Sequence, residues 1–167
     1  MNNPLIKYLK LLPLYVLIQV VVLNEVLFSA YINPFLYVIL IISLPLKTPK
    51  WFLLIYAFLL GLSIDLFSGS LGFHSTATIL IAFAKPFISK ITIPHNILSD
   101  TDEITFKKVG NKAFITFSLF LILIHNSCLF IAEHLSVTLA LFGKIMASSL
   151  VTLIIVLITQ LFQQEEK

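Results

Sequence analysis

The chain has 167 residues, of which 59% are hydrophobic and only 11% charged, whereas a soluble domain is usually about 45–50% apolar and about 25% charged. Together with a mean hydropathy of +1.03, this excludes an ordinary soluble fold and identifies a single integral membrane domain covering residues 1–167. The net charge of +3 comes from 11 basic residues, all lysines; they fall between apolar runs and form no basic stripe with interleaved aromatics, so they report topology and exclude a nucleic-acid surface.

In chain order, a head carrying Lys7 and Lys10 precedes an apolar run at 11–28, broken only by Gln19, Asn24 and Glu25. About 20 apolar residues cross a bilayer, so the run predicts a first transmembrane helix with Pro13 in its opening turn. Ser29-Ala30 is too poor a small-x-small site for this to be a cleaved signal peptide. Asn33-Pro34 marks a turn. A second, short run at 32–46 closes at Pro45 and Lys47-Thr48-Pro49-Lys50. Trp51 opens a third at 51–67, with Trp51 and Tyr56 expected as interfacial aromatics. A fourth, at 71–91, carries Lys85 and Lys90 near its far end, where their stems are expected to snorkel to headgroups. A polar loop at 92–112 follows, then runs at 113–132 and 137–162. The expectation is an all-α bundle of six transmembrane helices.

The lysines orient it. Assigned to alternate sides, ten of the eleven fall together, and only Lys144 lies opposite, near Glu25, Asp65 and Glu133. The positive-inside rule makes the lysine side cytoplasmic, with both termini inside. Lys107, Lys108 and Lys112 are expected to hold the loop against anionic headgroups, at about 1 kcal/mol per lysine.

The polar stretch from Gly61 to Ser75 stands out between apolar runs. On a helix Gly61 and Asp65 share one face, which Ser68 extends. An ionisable group at membrane depth costs a few kcal/mol and normally has a partner or faces water. Asp65 is therefore the first functional candidate, expected to shape an outward-facing groove with Ser68, Gly69, Gly72 and His74, and with Glu25 at the same end. Asp65 has no second intramembrane aspartate with which to make an aspartyl-protease dyad. Ser68 before Gly69, with His74 or His125 as base, lacks an oxyanion-hole pattern. His125-x-x-Cys128 and Glu133-His134 fall short of a convergent metal set, and Gly69 and Gly72 lack the Lys-Ser/Thr sequel of a phosphate loop. Cys128, the sole cysteine, reads as a small buried residue. No enzyme, cofactor or metal is expected. Helix packing and partner binding remain, through small residues and interhelical hydrogen bonds.

The segment Gly61-Leu-Ser-Ile-Asp65-Leu-Phe-Ser68-Gly69-Ser-Leu-Gly72-Phe-His74-Ser75 resembles the signature of the bacterial rod shape-determining MreD family. The resemblance extends to Gln19, Asn33-Pro34, Thr48-Pro49-Lys50-Trp51 and Lys85-Pro86-Phe87, and thus covers residues 11–87. It implies a non-enzymatic inner-membrane component of the cell-elongation machinery. Its implied partners are MreC, in direct contact, and the wider complex of MreB, RodA and a class B penicillin-binding protein, with a homo-oligomer also open. The family's fold is similar to the six-helix substrate-binding subunits of energy-coupling-factor vitamin transporters, so a small-molecule uptake subunit is the alternative. Those subunits carry small residues four apart in the first helix; here that helix reads LLPLYVLIQVVVL, which favours the shape protein.

Overall fold

The computed structural model describes residues 4–24, 32–94, 103–134 and 138–165. Helix α1 (Pro4–Leu17) continues as a π-helical stretch, Ile18–Leu23; α2 is Val38–Ser43, α3 Lys50–Ser68, α4 Phe73–Thr92, α5 Phe106–Val109, α6 Asn111–His134 and α7 Leu139–Glu165. Four helical stretches are long and apolar enough to cross a membrane: Leu5–Leu23, Lys50–Ser68, Asn111–His134 and Leu139–Phe162. Their outer faces carry exposed Leu17, Val21, Ile55, Phe58, Phe120, Leu150 and Ile154. This is the surface of an integral membrane protein, whose solvent is lipid.

The six-helix expectation is met only in this coarser form. Helix α4 matches α3 in length, but His74, Ser75, Thr76, Thr78, Lys85, Ser89 and Lys90 make it more polar than the four. The larger correction concerns the run at 32–46, which holds only the six helical residues of α2 between Pro34 and Pro45. The first helix also begins earlier than 11, at Pro4, so Pro13 lies inside it and not in its first turn. Tyr8 on that early turn is buried and bonded, which ties the lysine-bearing head into the bundle.

The broken segment is the centre of the fold. Every residue from Pro34 to Pro45 is buried. Backbone at this depth that is not helical has to be satisfied by protein groups, since no water reaches it, and the neighbouring helices supply them. From α7, Ser148 Oγ accepts the Asn33 N–H and Thr152 Oγ1 accepts the Phe35 N–H, each at 3.1 Å. Gln19 Nε2 donates to the Pro34 carbonyl while its Oε1 accepts the Leu36 N–H, both at 2.9 Å. The Tyr8 hydroxyl donates to the Ser43 carbonyl at 2.9 Å, and the Ile104 N–H reaches the same oxygen at 3.0 Å. Lys85 Nζ donates to the carbonyls of Ile41, at 2.8 Å, and Leu44.

Two sequence expectations are thereby overturned. Lys85 does not snorkel: it is 1% exposed, its stem buried and its amine spent on the carbonyls at the end of α2. Tyr56 is not interfacial: it is buried, its hydroxyl donating to the Tyr8 carbonyl at 3.0 Å, while Trp51 is exposed.

Contacts along α7 define two ends. Asn33 meets Ser148, and Ser43 accepts from Gln160 Nε2 at 3.2 Å. Those α7 residues are about three turns, roughly 18 Å, apart. The segment thus runs lengthwise through the bundle. Ser43 meets Tyr8 and Gln160 alike, so the first two turns of α1 and the last turns of α7 share one end, together with the Lys7–Glu103 ion pair at 2.8 Å. The α3–α4 turn and Asn24 mark the opposite end, where Asn24 Nδ2 donates to Ser68 Oγ at 3.1 Å. Around the segment α3 packs on α4, α4 on α6, and α6 on α7, burying Leu60, Ile64, Ala77, Ile81, Phe114, Phe117 and Leu121.

Candidate functional site

Helix α3 stops where Gly69 enters the left-handed region at φ 65°, and α4 starts after Gly72 at φ 86°. A side chain at either position would be strained. Gly72 offers no side chain to cap α4, and Asp65, about one turn from the end of α3, does so from across the turn. Its carboxylate accepts the N–H groups of His74 (3.1 Å) and Ser75 (2.9 Å) and the hydroxyls of Ser70 and Ser75. The two N–H groups are donors that a helix leaves unpaired at its positive end, where a carboxylate is favoured. Asp65 is only 3% exposed.

Gly61 brings α3 onto α4. A Cβ there would overlap the Cα and N of Ser75 and the hydroxyl of Thr78, and Thr78 Oγ1 also donates to the Ala57 carbonyl at 2.8 Å. Because the obstacle is backbone, the helices themselves would have to part. Gly61→Ala is expected to cost about 1–3 kcal/mol, the usual range for overpacking, read as a lower unfolding temperature in detergent. Wild-type stability in that variant would show that the two helices do not approach this closely.

On the far side of the turn lies a cavity of about 480 Å³, lined by Asn24, Asn33, Ser68, Ser70, His74, Glu133 and Lys144 among apolar neighbours that include Phe35 and Phe73. Its walls are held in place. Gln19 Nε2 donates to Asn24 Oδ1 at 3.0 Å, and Asn24 in turn donates to Ser68. His74 is fixed by a buried chain of hydrogen bonds: its Nδ1 lies 2.7 Å from the Tyr37 hydroxyl, which lies 2.9 Å from His125 Nε2. His125 Nδ1 meets Asn126 Oδ1 at 3.0 Å, and Asn126 Nδ2 donates to Ser149 Oγ at 2.9 Å. Asn126 Oδ1 can only accept, so neutral His125 carries its proton on Nδ1 and accepts the Tyr37 hydroxyl proton at Nε2; Tyr37 in turn accepts from His74 Nδ1–H, and both rings hold the Nδ1–H tautomer. Phe35 packs edge-on against His74, at 5.7 Å between ring centres, and tilted against His125, at 5.4 Å.

The predicted residues therefore separate into roles. Ser68 and His74 line the cavity. Gly69 and Gly72 shape the turn, Gly61 sets the helix spacing, and Asp65 stands behind the wall, holding Ser70 and His74 without facing the cavity. Asp65, expected to shape the groove, does so from behind: burial and four donors turn its carboxylate to the start of α4. Glu25, like Ser29-Ala30, lies outside the described residues. Sequence reasoning missed Tyr37 and the cavity-side role of Asn33; neither carries a local signal, since both act on helices distant in sequence. Among the described residues no three His, Cys, Asp or Glu side chains are grouped to hold a metal ion. Neither a family model, nor a curated protein, nor a solved structure matches the chain.

Proposed function

We propose that this membrane protein is a non-enzymatic scaffold of the bacterial rod complex, of the MreD type, which binds MreC in the inner membrane and helps direct lateral peptidoglycan synthesis. The observation that carries the reading is the use made of the stretch from Gly61 to Ser75. Its polar residues are spent on one another, through Asp65, Ser70, His74 and Ser75, so the hairpin is a fixed platform. Beside it Leu66, Phe67 and Leu71 are exposed, a rigid apolar edge of the kind a partner's membrane segment can pack on.

In this reading α1, the 32–46 segment, α3, α4, α6 and α7 make six crossings. Both termini are cytoplasmic, with Lys7, Lys10, Lys47, Lys50, Lys107, Lys108 and Lys112 at the inner face. The cavity beside the turn then opens outward. That cavity favours a second reading, a substrate-binding subunit of a small-molecule uptake transporter.

The two readings part on one experiment. Tagged protein purified from native membranes in mild detergent is expected to bring down a single-span MreC-like protein, and its depletion is expected to round the cells. Recovery of ATPase subunits instead, with rods unaffected by depletion, would replace the scaffold with the uptake subunit.

A further inference from the structure

The cavity wall carries two opposite charges that do not neutralise each other. Lys144, near the start of α7, and Glu133, in the last turn of α6, both line it. Yet the Lys144 amine lies over the Phe130 ring, 4.5 Å from its centre, and no carboxylate among the described residues pairs with it. Among the described residues Glu133 pairs only with His134, at 3.9 Å, and both are about half exposed. An ammonium on an aromatic face is held without being neutralised. Among the described residues the remaining titratable group on the wall is His74, whose Nδ1 is taken by Tyr37, leaving Nε2 for a ligand. Asn24, Asn33, Ser68 and Ser70 add amides and hydroxyls, and the Gln19–Asn24–Ser68 bonds fix them beforehand, which lowers the ordering cost of binding.

We propose that this cavity binds a small zwitterion of amino-acid to dipeptide size, with its carboxylate at Lys144 and its ammonium at Glu133. A plain anion would set a second negative charge beside Glu133, and a neutral molecule would leave Lys144 without a counter-charge. A zwitterion answers both. The volume, about 480 Å³, falls in the range that holds small ligands, roughly 300–1,000 Å³. The site is independent of MreC binding, so loss of one leaves the other standing.

The test uses the full chain in mild detergent, with calorimetric titration of alanine and alanyl-alanine, as both enantiomers, against their N-acetyl and C-amide forms. Saturable binding of a free zwitterion is expected, weakened at least about tenfold by capping either end. Lys144→Met should weaken the free zwitterion to a similar degree, with Lys144→Arg restoring it. Glu133→Gln should abolish the penalty for N-acetylation. The capped ligands on the unaltered protein carry the test if a variant does not fold. Equal affinity for capped and free ligands, or no saturable binding of any zwitterion up to roughly 10 mM, would overturn the proposal.

Discussion

Lys85→Ala is expected to destabilise the protein by about 3–5 kcal/mol, enough to remove most folded material from the membrane. The amine donates to the carbonyls of Ile41 and Leu44, at the end of a helix only six residues long. Such a helix satisfies few of its own acceptors, because its last carbonyls have no following turn to meet them. Pro45, directly after Leu44, supplies no N–H either. Each buried carbonyl left without a donor costs about 1–3 kcal/mol, and removal of the stem adds a cavity in a region where Ile41 and Leu44 are fully buried. Lys85→Met separates the two costs, since its side chain fills most of the space and donates nothing; about 2–4 kcal/mol should remain. Unfolding temperatures of the purified variants measure both. If Lys85 instead reached the headgroups, both substitutions would stay within about 0.5 kcal/mol of wild type, so a pair of small effects would refute the buried arrangement.

Lys85 also shows where sequence reading stops. Apolar runs at 51–67, 71–91, 113–132 and 137–162 become α3, α4, α6 and α7 within a few residues, because hydrophobicity sustained over about 20 residues determines both burial and helix length. The run at 32–46 is just as apolar, yet only 38–43 are helical. Hydropathy records that a segment avoids water. It does not record whether lipid or protein surrounds it, and only lipid forces a continuous helix. The signs of the second case are polar residues far away in sequence: Gln19, Lys85, Ser148 and Thr152, each out of place in its own apolar helix and each bonded to this one segment.

The same distinction divides the candidate site. Asp65, Ser70, His74 and Ser75 lie within ten residues, so their clustering could be seen along the chain, and Gly69 and Gly72 announced the turn between them. What Asp65 bonds to was not legible, since an intramembrane carboxylate turned toward a partner and one turned toward its own hairpin have the same sequence. The link from Tyr37 to His125 joins residues 88 positions apart, and nothing local to either one signals it. Lys144 stood out as the one lysine that assignment to alternate sides sets apart from the rest, while its place above Phe130 depends on how α7 packs against α6.

Asp65→Ala should cost about 3–5 kcal/mol, through the fold and not through a lost partner contact. Four donors lose their acceptor together. Two are backbone N–H groups at the start of α4, and the loss of a helix cap alone is worth about 0.5–2 kcal/mol. Hydrogen bonds to a charged group contribute about 1.5–3 kcal/mol each where they are buried, though averages inside membrane proteins are nearer 0.6, so the sum falls well below four full bonds. Asp65→Asn keeps one acceptor oxygen but turns an amide NH₂ toward groups that themselves donate, and about 1–3 kcal/mol is expected. Ser75→Ala removes a single hydroxyl and should cost about 1 kcal/mol. The order Ala above Asn above Ser75→Ala is the signature of a carboxylate that organises a turn. If the proposed binding of MreC holds, its recovery distinguishes this from a carboxylate that meets the partner itself. At a temperature where the Asp65→Asn protein is still folded, it should bring down as much MreC as wild type, because Leu66, Phe67 and Leu71 remain in place. A folded Asp65→Asn protein that loses MreC would assign the carboxylate to the interface, and an Asp65→Ala protein as stable as wild type would remove it from the hairpin.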